Sequence, residues 1–279
     1  MRKSKKMTTI IIVCIFLIGL SLLAYPTVSD QWNKVHQTRA IVSHAESVAK
    51  MSDEECESYL APAREFNESL LTMPDRWKMN GDASKNYNSL LVTDDTEVMA
   101  YIEIPKIKIS LPIYHGTGAA VLQQAVGHME GSSLPVGGEG THCVLSGHRG
   151  LPSAKLFTDL DKLVEGDTFM IYTLNETLTY EVDQINIVLP SDMSTLGIEK
   201  DKDLVTLFTC TPYGINTHRL MVRAHRVENA STHLVLVTAD ALQLNQTLVA
   251  VCIAVPMLFL LFLFTILRPN KKRRWQEIY

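Results

Sequence analysis

Two long stretches without a charged residue frame this chain, and they fix its class before any motif is read. The first runs from Met7 to Ser29 behind the basic cluster Arg2, Lys3, Lys5 and Lys6. Its Ile, Leu and Phe content suits a helix crossing ~30 Å of hydrocarbon. The exit sequence Leu23-Ala24-Tyr25-Pro26 offers no good small-x-small cleavage site, so the stretch reads as an uncleaved anchor. Residues 7–27 are expected to span and residues 1–6 to form a cytoplasmic basic tail. The second stretch runs from Ala241 to Leu267 and stops at Arg268, Lys271, Lys272, Arg273 and Arg274, a stop-transfer pattern under the positive-inside rule. It predicts a second spanning helix over 245–267, a linker over 231–244 and a second cytoplasmic tail over 268–279. Both termini are then inside and one domain is outside.

The charges agree with that topology. Nine of the 26 Lys and Arg lie in the two tails and only Glu277 of the 30 acidic residues does, which leaves 17 basic against 29 acidic residues and a net charge near −12 between them. An acidic exterior excludes binding nucleic acid through a basic surface. Of the five cysteines, Cys14 and Cys252 fall in the apolar stretches, so Cys56, Cys143 and Cys210 face outside. An odd, sparse set does not build a disulfide framework and points to a free thiol. Cys143 lies within an apolar run and reads as core.

From Asp30 to about Lys50, Trp32, Val35, Ala40, Ile41, Val42, Ala45 and Val48 recur at helical spacing, which predicts a helical stalk assigned to 28–55. Residues 56–94 are rich in Asp, Glu, Asn and Ser and read as short helices and loop, a mobile flap or lid region. From Val98 the pattern changes to β-type runs punctuated by Gly and Pro: 98–104, 107–113, 141–145, 168–172, 178–189, 204–209 and 219–227. Short helical pieces are expected near Ala120–Gly127 and Ala154–Lys162. Seven or more strands with so little helix predict a mainly β domain over 95–230, closed into a barrel that leaves no exposed edge.

Three residues stand at strand ends, where rigid scaffolds carry chemistry. Cys210 closes Val205-Thr206-Leu207-Phe208-Thr209 and is followed by Thr211-Pro212-Tyr213-Gly214. His148 lies just past Cys143-Val144-Leu145, in Ser146-Gly147-His148-Arg149-Gly150. Arg219 follows Cys210 by nine residues, the distance of a return hairpin. Singly, each has a commoner explanation as core, solvated loop or surface charge. Together they suit acyl transfer, with a thiolate nucleophile, an imidazole acid/base and a guanidinium for the oxyanion. No acidic residue is placed to complete a triad with His148. His142, His218 and His225 lack zinc-site spacing, so neither metal nor cofactor is expected.

The run Thr206-Leu207-Phe208-Thr209-Cys210, with its downstream Arg219, resembles the T-L-x-T-C signature of the sortases. Ser133-Leu134-Pro135-Val136-Gly137-Gly138, Leu145-Ser146-Gly147-His148-Arg149-Gly150 and Leu156-Phe157-Thr158-Asp159-Leu160 resemble the histidine region of the class C, pilin-polymerising members. The resemblance implies an eight-stranded sortase barrel with Cys210 as nucleophile, His148 as acid/base and Arg219 as transition-state contact. It implies cleavage of an LPxTG-like sorting signal between Thr and Gly, and transfer of the acyl group to a lysine of another pilin subunit. Partners are then pilin subunits and the membrane of a Gram-positive cell. Class C members also carry a lid with an Asp-Pro-aromatic anchor. Here Met73-Pro74-Asp75-Arg76-Trp77 keeps the Asp and the aromatic, Asp75 and Trp77, with Arg76 where proline is usual. The implied contacts are Trp77 over Cys210 and Asp75 with Arg219. The rival readings are a sortase that anchors proteins to the cell wall, a cysteine endopeptidase and a non-catalytic membrane scaffold.

Overall fold

The computed structural model describes residues 2–73, 75–93 and 96–229, together with Val255 and Phe259. The chain divides into two units, Met1–His233 and Leu234–Tyr279, and the first carries every element below. The expected linker 231–244, all but two residues of the expected span 245–267, and the tail 268–279 lie outside the described residues.

The first anchor and the stalk are one helix, α1, Arg2–Val48, of 47 residues, which at 1.5 Å per residue is ~70 Å long. It runs through Pro26, where the missing N–H removes one helical hydrogen bond. Ile11, Ile12, Ile15, Ile18, Leu22 and Leu23 are exposed along its N-terminal part. This part is long and apolar enough to cross a membrane, with mean hydropathy 2.4 over its most apolar window. The second half of α1 is held against the barrel by polar side chains. Asp30 Oδ1 accepts from the Lys155 N–H at 2.8 Å and Asn33 Nδ2 donates to the Ser153 carbonyl at 2.8 Å. Gln37 Nε2 donates to the Gln124 carbonyl at 2.6 Å, and His44 Nδ1 lies 3.3 Å from Thr96 Oγ1.

Most of the 56–94 stretch is packed helix rather than loop. Helix α2, Asp53–Leu70, opens with a capping box in which Ser52 Oγ accepts from the Glu55 N–H and Glu55 Oε2 accepts from the Ser52 N–H. Asp53, Glu54 and Glu55 favour the positive end of its dipole. Cys56, Leu60, Ala63, Phe66 and Leu70 recur on one face and are buried in the main core, each large side chain stabilising the fold by roughly 1.5–3 kcal/mol. Asn67 clamps the face down, donating to the Leu134 carbonyl at 3.1 Å and accepting its N–H at 2.7 Å. Helix α3, Gly81–Ser89, buries Tyr87, whose hydroxyl meets His128 Nδ1 at 2.9 Å. Between α2 and α3 the described residues 71–73 and 75–80 form no regular helix or strand.

The remainder is the expected closed barrel of eight strands: β1 Ala100–Ile104, β2 Ile109–His115, β3 Val126–His128, β4 Thr141–Ser146, β5 Thr168–Thr173, β6 Glu176–Val188, β7 Asp203–Thr211 and β8 His218–Val227. They close in the order β1-β2-β3-β4-β7-β8-β6-β5. Two seams, β2 with β3 and β4 with β7, are parallel; the others are antiparallel. Inward side chains such as Ile102, Ile113, Leu145, Phe169, Tyr180, Leu207 and Val222 fill the barrel with Phe157 from the β4–β5 connection.

Two expected helical pieces are smaller than the sequence suggests. Near Ala120–Gly127 there is a single turn, α4 Ala119–Leu122, and then β3. Near Ala154–Lys162 only a 3₁₀ turn, Leu160–Lys162, forms. Strand β3 is three residues long and takes its pairing from both β2 and β4. No local alternation announces it.

Candidate active site

Cys210, Arg219 and His148 converge at one end of the barrel through strand register. Cys210 on β7 is the Cα partner of Arg219 on β8. Their side chains leave the same outer face, since Val205 and Leu207 on β7 and Leu220 and Val222 on β8 point into the core. On the other side of β7 the parallel register sets Ser146 opposite Phe208, and the Gly147 N–H continues it by donating to the Phe208 carbonyl at 3.1 Å. Thr209 Oγ1 locks the turn by donating to the Gly147 carbonyl at 2.7 Å. His148 follows one residue further, past the last paired position of β4, as Cys210 follows Phe208 on β7.

The His148 turn depends on a glycine beside it. A Cβ on Gly147 would stand 2.7 Å from the Phe157 ring, and the Phe157 N–H donates back to the His148 carbonyl at 3.1 Å. Beyond it, Arg149 donates through Nη1 to Thr211 Oγ1 at 3.1 Å and through Nη2 to Asp161. This guanidinium, 10% exposed, ties the histidine turn to the residue after Cys210. Its adjacency to His148 was the only sequence signal for that role. Arg219 is half-buried, with Nη1 donating to the carbonyls of Asn216 at 3.2 Å and His218 at 3.1 Å and its guanidinium 5.9 Å from the Phe208 ring. The return loop thus sets a guanidinium at the strand position paired with Cys210, an arrangement that can receive a developing oxyanion.

The thiols divide as their burial dictates. Cys143 is 3% exposed, and burial with Asp203 nearby pushes its thiol well up. Cys56 is buried and raised by the same desolvation. Cys210 is half-exposed and unpaired, the one barrel thiol open to a substrate. His142 is a structural residue, bonded through Nδ1 to the Gly197 carbonyl at 2.7 Å and through Nε2 to Thr206 Oγ1 at 2.8 Å. A cavity of 390 Å³ lined by Arg64, Glu68, Glu139 and Glu176 opens by Thr141, at the strand-start end of β4 and away from this chemistry.

Asp75 and Trp77, expected as lid residues, sit in a different arrangement from the one expected. Trp77 packs on an outer-face cluster of Val144, Leu196 and Met221 that also takes in Phe208, two residues before Cys210. Asp75 does not meet Arg219. It is exposed, and its carboxylate lies 3.2 Å from Lys78 Nζ. Arg76 holds the segment instead, donating to the Leu196 carbonyl at 2.5 Å and to the Gly131 carbonyl at 3.3 Å, its guanidinium 4.4 Å from the Trp77 ring. Gly131 admits this approach: at φ +90° its Cβ would fall 2.3 Å from the Arg76 carbonyl oxygen. Sequence reasoning treated Arg76 as a departure and did not find its anchoring role.

The sortase domain profile matches residues 102–227. Sortase C1 from Streptococcus agalactiae, a crystal structure, is 52% identical and superimposes with a TM-score of 0.66 over 69% of this chain and 100% of that one. Sortase C of Clostridium perfringens, solved with a C-terminal cell wall sorting motif, is 42% identical, with a TM-score of 0.61 over 69% of this chain and 100% of its own. Sortase D of Bacillus subtilis is 33% identical over 136 residues, and the match spans 65% of its length. A chain that carries the sortase profile across its barrel, and covers the full length of a solved sortase C1 at 52% identity, belongs to the sortase family of cysteine transpeptidases, in its class C branch.

Proposed function

We propose that this chain is a membrane-anchored transpeptidase on the outer face of a Gram-positive cell, joining pilin subunits through Cys210. The observation that carries the reading is the Cys210–Arg219 register pair with the His148 turn bonded alongside. The Cys210 thiolate adds to the threonine carbonyl carbon of an LPxTG-like signal. Arg219 stabilises the oxyanion, His148 as imidazolium gives its proton to the departing glycine nitrogen, and the C–N bond breaks to leave a thioester. A lysine amine of a second pilin subunit then attacks the thioester and loses a proton to His148. The isopeptide bond forms and the thiolate leaves.

The relatives support the substrate class: the Streptococcus pneumoniae sortase C structure, 41% identical, is described in terms of pilin substrate specificity. The apolar part of α1 supports anchoring, and the sequence over 245–267 with its basic tail supports a second span with both termini cytoplasmic. Segment 71–80 is proposed as the lid, with Trp77 as its apolar anchor and Asp75 a weaker participant, since its carboxylate faces Lys78.

The test is mass spectrometry of the full chain, wild type and Cys210→Ala, incubated with an LPxTG-type pilin, with and without Trp77→Ala. A thioester adduct on Cys210 that the Ala variant loses, followed by cross-linked pilin, is expected. Release of cleaved pilin without cross-links in the presence of the second subunit points to an endopeptidase. Transfer only to a peptidoglycan-type amine points to cell-wall anchoring, and no adduct with the lid opened points to a scaffold.

A further inference from the structure

The two ends of the barrel differ, and α1 says which faces the membrane. Because β4 and β7 are parallel, their last residues share one end, where β8 begins at the Cys210–Arg219 pair and β6 finishes with Val188 opposite Arg219. The opposite end holds Thr141, Asp203, Val227 and the β5–β6 turn at Asn175. Helix α1 runs along the barrel between them. Asp30 and Asn33 bond Lys155 and Ser153, in the loop that folds back on His148 through the Phe157–His148 bond. At the other end of α1, Val48 packs on the core, and Asp53 at the start of α2 accepts from Asn175 Nδ2 at 3.0 Å. Residues 30–48 cover ~27 Å at helical rise, close to the length of a nine-residue strand such as β7 at ~30 Å.

The uncharged stretch of α1 ends at Ser29, one residue before Asp30. Exposed apolar side chains collect at the same end. Ile187 is 65% exposed, Leu189 59%, Tyr213 59% and Ile215 68%, and Trp32 on α1 is 67% exposed. Tyr213 lies across Gly150, where an added Cβ would stand 2.9 Å from its ring, in the loop that α1 holds. At the far end Leu71, beside Gly140, is the exposed counterpart. Tyr and Trp favour the headgroup layer, and Ile and Leu gain by leaving water. Pro26 can bend α1, which tilts the barrel without inverting it.

The geometry points to a membrane-facing active site: the barrel stands with its Cys210 end on the lipid surface, and the β7–β8 loop residues Tyr213 and Ile215, with Ile187 and Leu189, rest in the interfacial layer. This inference relies on the proposed anchoring of α1 and on no assignment of substrate. It is tested on the full chain with Cys14, Cys210 and Cys252 replaced by Ala, leaving Cys56 and Cys143 buried. A single cysteine is introduced as Ile215→Cys or Asn175→Cys, labelled with an environment-sensitive fluorophore and reconstituted in vesicles containing shallow nitroxide lipids. The Ile215→Cys probe is expected to be quenched several-fold more strongly than the Asn175→Cys probe. Flotation with the vesicles but equal or reversed quenching overturns the orientation alone. Failure to float overturns the anchor and the orientation with it.

Discussion

Arg76 is the residue whose chemistry departs most from the pattern the sequence resembles, and its side chain accounts for the difference. A proline would stiffen the proposed lid segment through its own ring; a guanidinium fastens it through two carbonyls and covers the Trp77 face. Burial lowers the Arg76 pKa without displacing its charge from the working range. Hydrogen bonds to a charged donor contribute about 1.5–3 kcal/mol each. Arg76→Ala is therefore expected to raise the rate at which a small thiol reagent modifies Cys210 by about tenfold or more, since one such bond alone reaches the 1.4 kcal/mol that is a factor of ten. Stopped-flow alkylation measures it, and an unchanged rate removes Arg76 from the lid. Within the proposed chemistry, Arg219→Lys keeps the charge and loses the planar fork, so kcat/KM should fall by roughly 10²–10³ while the fold is retained. Gly147→Ala forces the Phe157 ring away from 2.7 Å contact. It should lower kcat by moving His148 while leaving the Cys210 thiol open to alkylation.

At the scale of elements, segment 71–80 is the one to test. Replacing the Trp77 ring removes its packing on Val144, Leu196 and Met221, so Trp77→Ala should also speed modification of Cys210, and a double variant with Arg76→Ala should add little if both act through one closed state. Seven of the eight strands were legible as β-type runs bounded by Gly and Pro, because each extends over five residues or more. Strand β3 was not, since a three-residue strand held by neighbours on both sides carries no period of its own. Helix α2 was readable in principle from Cys56, Leu60, Ala63, Phe66 and Leu70, but its acidic outer face masked the stripe. The site reads differently. Cys210, His148 and Arg219 are each tied to a strand end, so sequence order carried them into register. The partner of Asp75 was not legible, because which cation a loop carboxylate meets depends on where the loop docks.

At the scale of the whole molecule, buried imidazoles make stability depend on pH. His128, bonded to Tyr87 and the Ser133 carbonyl, and His44, at the α1–barrel contact, are both held by burial down to about 4. Unfolded, each takes up its proton near 6.5. As pH falls from 6.5 toward 4 the unfolded chain therefore binds more protons than the folded one, and stability declines across that window and levels off below it. The loss approaches about 3 kcal/mol per group. Asp203, whose carboxyl is raised by burial, acts in the opposite sense. Urea titrations at pH 7.5 and 4.5 should show the decline, and His44→Phe, which removes one titrating group whose Nε2 has no partner, should flatten part of it.

The parallel seam between β4 and β7 also bears on when the enzyme can first react. It joins residues as far apart as Gly147 and Thr209, 62 positions along the chain, and such distant pairings form late because the loop between them must close first. Until that seam zips, the thiol at 210 has neither its imidazole nor a floor to bind on. Under the proposed chemistry, a chain whose seam is still open is silent by topology, and Cys210 gains its partners only in a finished barrel.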